Sequence, residues 1–491
     1  MTVPGFARFR RYLWLLAAAA ALLAASGLTQ LGSAASAARA HRHRTEATAE
    51  ATAEGRWQSR GGTHWVASWG ASPQAAVPGD RAALGFENET IRDIVYTSVG
   101  GSMVRVRFTN AFGSRPLWIG AAAIGVQRSG AAVAPGTSFQ LSFAGRRSVL
   151  IAPGSAALSD PVRLAVLPLE KLAVSVYLPF RTGPATQHVD AQQVNYLAAG
   201  AHALATRASA FRGRTRSWYF LDRVDVLSPP RVLGTVIALG DSITDGVHSP
   251  VNANARWPND LARRLDARAG ATLGVIDEGI GGNRVLNDSP CCGVNAVARF
   301  RADVADDPGA KAVILLEGVN DIGFAQHTTP LTAPNTDVSA AQIIAGYMEI
   351  IAQAHAAGLK IFGATLTPFQ GARYWTPEGE AERDAVNEWI RTSGAFDGVI
   401  DFAAAVADPA DPDILDPAYD SGDHLHPNAA GYRAMAQAVN LSMLMSAAGR
   451  TDRGDRTARG ARGARRSAAR HGAARPARAA ALRGPSLTGG A

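Results

Sequence analysis

At 491 residues, 47% hydrophobic and 18% charged, the chain is long enough for two or three domains with ample core. Its net charge of +8 does not mark a nucleic-acid-binding body, because the positive charge sits at the ends. Residues 450–491 hold eleven Arg and two Asp, residues 1–44 hold six Arg and no acid, and residues 45–449 carry a net −7. Cys291 and Cys292, the only cysteines, are adjacent, which excludes a Cys-rich zinc site and an ordinary loop-closing disulfide and leaves a vicinal disulfide or two packed thiols.

In chain order, Arg8, Arg10 and Arg11 precede an apolar run from Tyr12 to Leu28, and Ala35-Ser36-Ala37 offers a small-residue cleavage site. This pattern predicts a cleaved export signal over residues 1–37 and a secreted product, in preference to a membrane anchor. The Thr/Ala/Glu repeat at 45–54 reads as part of a linker over 38–62. From 63 to 228 the texture is β: Val104, Val106 and Phe108 alternate with Arg105, Arg107 and Thr109, and Leu172, Val174, Val176 and Leu178 alternate with Ala173, Ser175 and Tyr177. Many short period-2 runs punctuated by Gly, Pro and Asn predict a sandwich or jelly roll without a catalytic constellation.

Ser228-Pro229-Pro230 marks a stop, and from there to 449 strands alternate with helices. The strands are predicted at Val232–Leu239, Thr272–Ile276, Ala312–Leu316, Leu359–Thr365 and Val399–Phe402. Helices are predicted over Asn259–Ala267, Asn295–Val304, Ala341–Ala356 and Glu380–Thr392, with a last one from Ala429 to Met445. That alternation implies a three-layer α/β/α domain with a five-stranded parallel sheet, able to fold as a unit over residues 230–449. The Arg/Ala/Gly tail from 450 has little to build a core from and reads as disordered, a solvated extension or a contact for anionic wall polymers or membranes.

Four strand ends of the second domain lead into polar signatures: Gly240-Asp241-Ser242, Glu278 to Arg284, Glu317-Gly318-Val319-Asn320-Asp321, and Asp423-His424-Leu425-His426-Pro427-Asn428. In an open parallel sheet such ends share one edge and converge on one cleft. A serine hydroxyl needs a base within reach, which His426 can be, and Asp423 can orient its ring. The developing oxyanion needs donors already in place. The backbone N–H groups of Ser242 and Gly282 and the Asn320 amide can supply three. Taken singly, each residue also reads as turn or cap chemistry: Ser242 and Asn320 in turns, His426-Pro427-Asn428 as a helix start.

These blocks, in this order and spacing, resemble the SGNH (GDSL) hydrolases over roughly residues 232–446. Arg256-Trp257-Pro258 and Asn283-Arg284 resemble exported actinobacterial members, and the preceding β domain is similar in architecture to that of carbohydrate esterases with an N-terminal jelly roll. The resemblance implies an esterase with Ser242 as nucleophile, His426 as base, Asp423 as its partner, and Gly282 and Asn320 completing the oxyanion hole with Ser242. No cofactor or metal is implied. The substrate class is a small-molecule, carbohydrate or lipid ester, with short acyl groups, acetyl first, favoured by the appended β domain and the lack of a lid-like helix. The same residues would serve a lipase or an acyltransferase, and a retired wall- or carbohydrate-binding protein is the alternative of another class. The sequence departs from the pattern at His424, where many relatives have glycine; this places a second imidazole near the site, read as pocket wall or surface. A metal site from Asp423, His424 and His426 lacks a further partner, and the acidic run Asp408–Asp423 lacks the glycine and terminal glutamate of a calcium loop, so it reads as a solvated loop.

Overall fold

Two large antiparallel sheets, two two-stranded ones and one parallel sheet are found in the computed structural model, which describes residues 62–327 and 329–449. The expected export signal, nearly all of the linker and the basic tail lie outside the described residues. No helix of the described residues is long and apolar enough to cross a membrane.

The N-terminal half is a sandwich. One sheet runs in the order His64–Gly70, Leu221–Ser228, Val104–Thr109, Ala156–Leu158, and the other is built around Glu89–Tyr96, Lys171–Leu178 and Ala121–Ser129. Val104, Val106 and Phe108 from the first sheet and Leu172, Val174, Val176 and Leu178 from the second meet in one core. This is the arrangement that period-2 alternation imposes on two stacked sheets. The alternate face of the first sheet is not solvated, however. Arg105 is buried and bonds Asp225 at 2.8 Å, Arg107 pairs with Asp222, and Arg223 reaches both Asp225 and Asp307 of the α/β half. Charged residues there are buried because a second domain covers them, and they are paired because burial would otherwise be prohibitive.

The parallel sheet consists of β1 (Val232–Gly240), β2 (Thr272–Gly279), β3 (Ala310–Leu316), β4 (Lys360–Ala364) and β5 (Gly398–Ile400), in the order β2-β1-β3-β4-β5. Gly240 is in register with Gly279 on one side and Leu316 on the other, so three strands end on one line. Helices α1 (Ser242–Asp245), α2 (Trp257–Asp266), α3 (Ala296–Phe300), α4 (Val319–Gly323), α5 (Ala340–Ala356), α6 (Pro377–Thr392), α7 (Phe402–Val406) and α8 (Ala429–Ala438) complete the domain. Strands buried on both faces explain the continuous apolar runs of β1 and β3, and the core joins Ile237, Leu239 and Ile314 to Trp257, Leu261, Phe300, Tyr347 and Ile350.

Two predicted helices differ. The one beginning near Asn295 is α for Ala296–Phe300 and then widens into a π turn, Arg301–Ala305. The last one breaks at Val439, which is extended; Asn440 caps a new helical stretch by accepting from Ser442 N, and Arg264 takes the freed Val439 carbonyl at 2.9 Å. The acidic run folds as expected of a loop. Asp408, Asp411, Asp416 and Asp420 each accept the backbone N–H two residues on.

The two halves are joined by more than Ser228-Pro229-Pro230. Ala67 packs into the α/β core, its N–H donates to Pro308 O at 3.0 Å, and its carbonyl accepts from Thr235 Oγ1 at 2.6 Å. At the outer edge of β2, where Val275 is buried, its N–H is capped by Ser98 Oγ from the β half at 3.0 Å.

Candidate active site

The end of β1 forces a tight turn. A side chain at Gly240 would stand 2.3 Å from both Leu316 O and Thr244 Oγ1, so only glycine lets the chain turn here. Asp241 caps α1 by accepting from Ile243 N at 2.9 Å, and Ser242 becomes the first residue of that single turn. Its N–H therefore has no intrahelical partner, as at any helix start. Ser242 is buried apart from a small opening.

The Ser242 hydroxyl lies 2.8 Å from His426 Nε2, and His426 Nδ1 lies 2.6 Å from Asp423 Oδ2. With the ring proton on Nδ1, Ser242 donates to His426 and His426 donates to Asp423. Asp423 is itself held: Oδ1 accepts from the Leu425 and His426 N–H groups at 3.0 and 2.9 Å and from Ser421 Oγ at 3.2 Å. Burial alone would raise its carboxyl. The His426 ring and these N–H groups outweigh that and hold it well below the usual carboxylate range.

The three expected oxyanion donors come from three strand ends. Asn320 is the second residue of α4 and is buried; its Nδ2 donates to Asn283 O at 3.0 Å, and its Oδ1 accepts from Tyr374 at 3.1 Å. Those two bonds fix which way the amide points and leave its second N–H over. Gly282 sits at φ +73°, and an added Cβ would stand 2.5 Å from Cys292 Sγ. Cys291 and Cys292 are joined as a vicinal disulfide, which packs against the back of this loop. Asn283 locks the loop further, donating to Cys292 O and Val294 O and accepting from Arg299 Nε at 2.9 Å. Among the described residues neither the Ser242 nor the Gly282 N–H donates to a protein acceptor.

Asp321 points away from this opening. Its two oxygens accept the Val285 and Leu286 N–H groups at 2.7 and 3.2 Å, and burial raises its carboxyl to about 7. Burial also raises Asp241 and Glu317 beneath the turn, Glu317 further still beside the Asp241 charge.

Several contributors carried no signal in the sequence. Arg299 is buried and donates to Gly240 O, Glu278 O and Asn283 Oδ1, so one guanidinium ties the ends of β1 and β2 to the Gly282 loop. From the β half, Ser72 accepts from Arg299 Nη1 at 2.9 Å and donates to Glu278, Gln74 bonds the Cys291 carbonyl, and buried His188 meets Asp245 of α1 at 3.2 Å. The second imidazole beside the site is His248, 3.2 Å from Asp423 Oδ2, rather than His424, which turns outward to Asp420 at 2.7 Å. A histidine shortly after the serine was the available clue.

Ligand-type side chains also gather at Glu380, Asp384 and Asp413, where Arg383 fills the role a cation would play.

Residues 238–434 match the model of the GDSL-like Lipase/Acylhydrolase family. The α/β domain is a GDSL-like acylhydrolase. Among solved structures, the acylhydrolase is similar to a GDSL-like lipase from Bacteroides thetaiotaomicron (18% identity, 43% of this chain and 88% of that one, TM-score 0.31). It is also similar to a catalytic mutant of an acetylxylan esterase from Geobacillus stearothermophilus (19% identity, 43% and 93%, TM-score 0.33). No curated protein matches the chain. The match makes the α/β domain an ester hydrolase.

Proposed function

We propose that this acylhydrolase is an exported serine esterase that removes short acyl groups, acetyl above all, from carbohydrate through an acyl-enzyme on Ser242. The observation that carries the reading is the continuous Ser242–His426–Asp423 hydrogen-bond chain beside two uncommitted backbone N–H groups. In the proposed reaction, His426 Nε2 takes the Ser242 proton as Oγ attacks the ester carbonyl carbon. The oxyanion is received by the Ser242 and Gly282 N–H groups and Asn320 Nδ2. The imidazolium, steadied by Asp423, returns the proton to the leaving alcohol, and water repeats the sequence to release the acid. Export rests on the leader pattern of residues 1–37. The acetyl and carbohydrate preference rests on the appended β sandwich and on the lack of a lid-like helix among the described residues.

The test is hydrolysis of p-nitrophenyl esters of increasing chain length, and of acetylated xylan, by wild type and Ser242→Ala. The reading predicts fastest turnover of acetyl and none by the variant, with an unchanged melting curve. Substantial turnover by Ser242→Ala removes the mechanism, and preference for long chains removes the substrate class.

A further inference from the structure

The Asp423 carboxylate faces two imidazoles with one oxygen. Oδ1 is taken up by its three donors from the same turn, which leaves Oδ2 to His426 Nδ1 at 2.6 Å and His248 Nε2 at 3.2 Å. The two rings are 5.5 Å apart, and one ligand atom from each of His248, Asp423 and His426 lies within 4.8 Å of the others. His248 reaches this position with a left-handed backbone, φ +65°, that residues other than glycine rarely adopt. The loop is tied down next door, where Tyr432 donates to Val247 O at 2.6 Å. Half of the His248 side chain is exposed, so the cluster opens to solvent on one side.

Two imidazole nitrogens and a carboxylate oxygen with an open fourth position suit zinc, whereas magnesium and calcium call for oxygen ligands. Bonds of about 2.0–2.1 Å in a tetrahedron hold ligand atoms about 3.3 Å apart. His248 Nε2 and Asp423 Oδ2 already stand close to that spacing, and His426 Nδ1 has to draw back from Asp423 Oδ2 by less than about 1 Å to reach it.

We infer that His248, Asp423 and His426 form an inhibitory zinc site, an inference that rests on the reading of His426 as the base for Ser242. Without metal, His426 carries its proton on Nδ1 and keeps the Nε2 lone pair for the serine proton. Zinc bound at Nδ1 takes the place of that proton, so the single proton of the neutral ring moves to Nε2 and occupies its lone pair. His248 likewise carries its proton on Nδ1 and binds through Nε2. The ring of His426 gains and loses no net proton, but Nε2 can no longer accept one, and Ser242 is left unactivated.

The experiment pairs zinc inhibition of p-nitrophenyl acetate hydrolysis with calorimetric zinc titration, using the full chain as wild type, His248→Ala and His248→Gln. Micromolar zinc is expected to inhibit the wild type, EDTA to restore it, and magnesium to do nothing. Measured against its own metal-free rate, each variant should show a zinc inhibition constant raised about tenfold or more. Equal inhibition constants in all three proteins would overturn the site, as would an unaffected wild type at millimolar zinc. Other histidines, such as His41 and His43, can bind zinc elsewhere, so the variants decide rather than the stoichiometry. The two readings also fail separately. An active Ser242→Ala removes the serine mechanism whatever zinc does, whereas an inactive Ser242→Ala with a zinc-indifferent wild type removes only the metal site.

Discussion

Asn320 and Asp321 are neighbours with opposite duties. The Asn320 amide, oriented by Tyr374 and Asn283 O, keeps one N–H over, the one proposed above to meet the oxyanion. Asn320→Ala should therefore lower kcat by about 10²–10³ and leave KM nearly unchanged on a short-chain ester, because the donor is used mainly in the transition state. Near-normal kcat in a folded variant would place the third donor elsewhere. Asp321 spends both oxygens on backbone N–H groups of the Val285–Leu286 segment. An amide has one acceptor where the carboxylate has two, so Asp321→Asn leaves one buried N–H facing an NH2. We expect it to lose about 1–3 kcal/mol of stability, read in chemical denaturation, with kcat changed far less than in Asn320→Ala. Equal losses of kcat in the two variants would show that Asp321 takes part in the chemistry.

Among the elements, the Gly282 loop is the one whose placement depends most on what packs behind it. A methyl at Gly282 meets the disulfide sulfur and needs a left-handed backbone besides. Gly282→Ala should push the loop off the disulfide and lower kcat by about 10² through loss of one aligned donor. Thermal unfolding should shift only modestly, since the loop is not core. A variant with full kcat would mean that the Gly282 N–H is not part of the hole. Apolar runs and helical periodicity foresaw the five parallel strands and the longer helices of the α/β half within a few residues. They did not foresee the π turn after α3, or the break at Val439, where Arg264 from another helix meets the freed carbonyl.

At the scale of the whole molecule, the β half is part of the site's scaffold. Ser72, Gln74 and His188 hold Arg299, the Cys291 carbonyl and α1 respectively. A chain of residues 230–449 can retain the five-stranded core, yet it leaves these groups and Asp307 without their partners. Its activity is expected to fall about 10²-fold, since displacements near 1 Å suffice for that; a fully active fragment would show that the sandwich positions nothing. Stability should also follow pH with a definite sign. Asp321 rises from 3.8 to about 7 on folding, and Asp241, Glu278 and Glu317 rise too, so the folded state binds these protons more tightly than the unfolded chain. Their contribution is complete below the unfolded values and is lost as pH climbs toward and past about 7. Asp397, Asp401 and Asp423 are lowered and act oppositely, losing their contribution as pH falls below the unfolded value. Melting temperature should accordingly peak on the acid side of neutrality and decline toward pH 8. Activity should instead fall on acidification, because the serine mechanism needs its general base unprotonated. Coincident optima would contradict this assignment.

Local patterns in the chain were enough to show a β half, an α/β half and four polar strand ends, because strand periodicity and turn chemistry are written in consecutive residues. Ser242, Gly282, Asn320, Asp423 and His426 could be named because a parallel sheet delivers its strand ends to one edge whatever the details. Only the tertiary structure decided that Arg299 links two strands to the Gly282 loop, that Arg105 and Arg223 are buried, and that His248 rather than His424 faces Asp423. Those facts depend on which surfaces the two halves press together and on how a short loop turns. Residues from sixteen to 120 positions apart and more meet there, and no repeat or spacing along the chain records such a meeting.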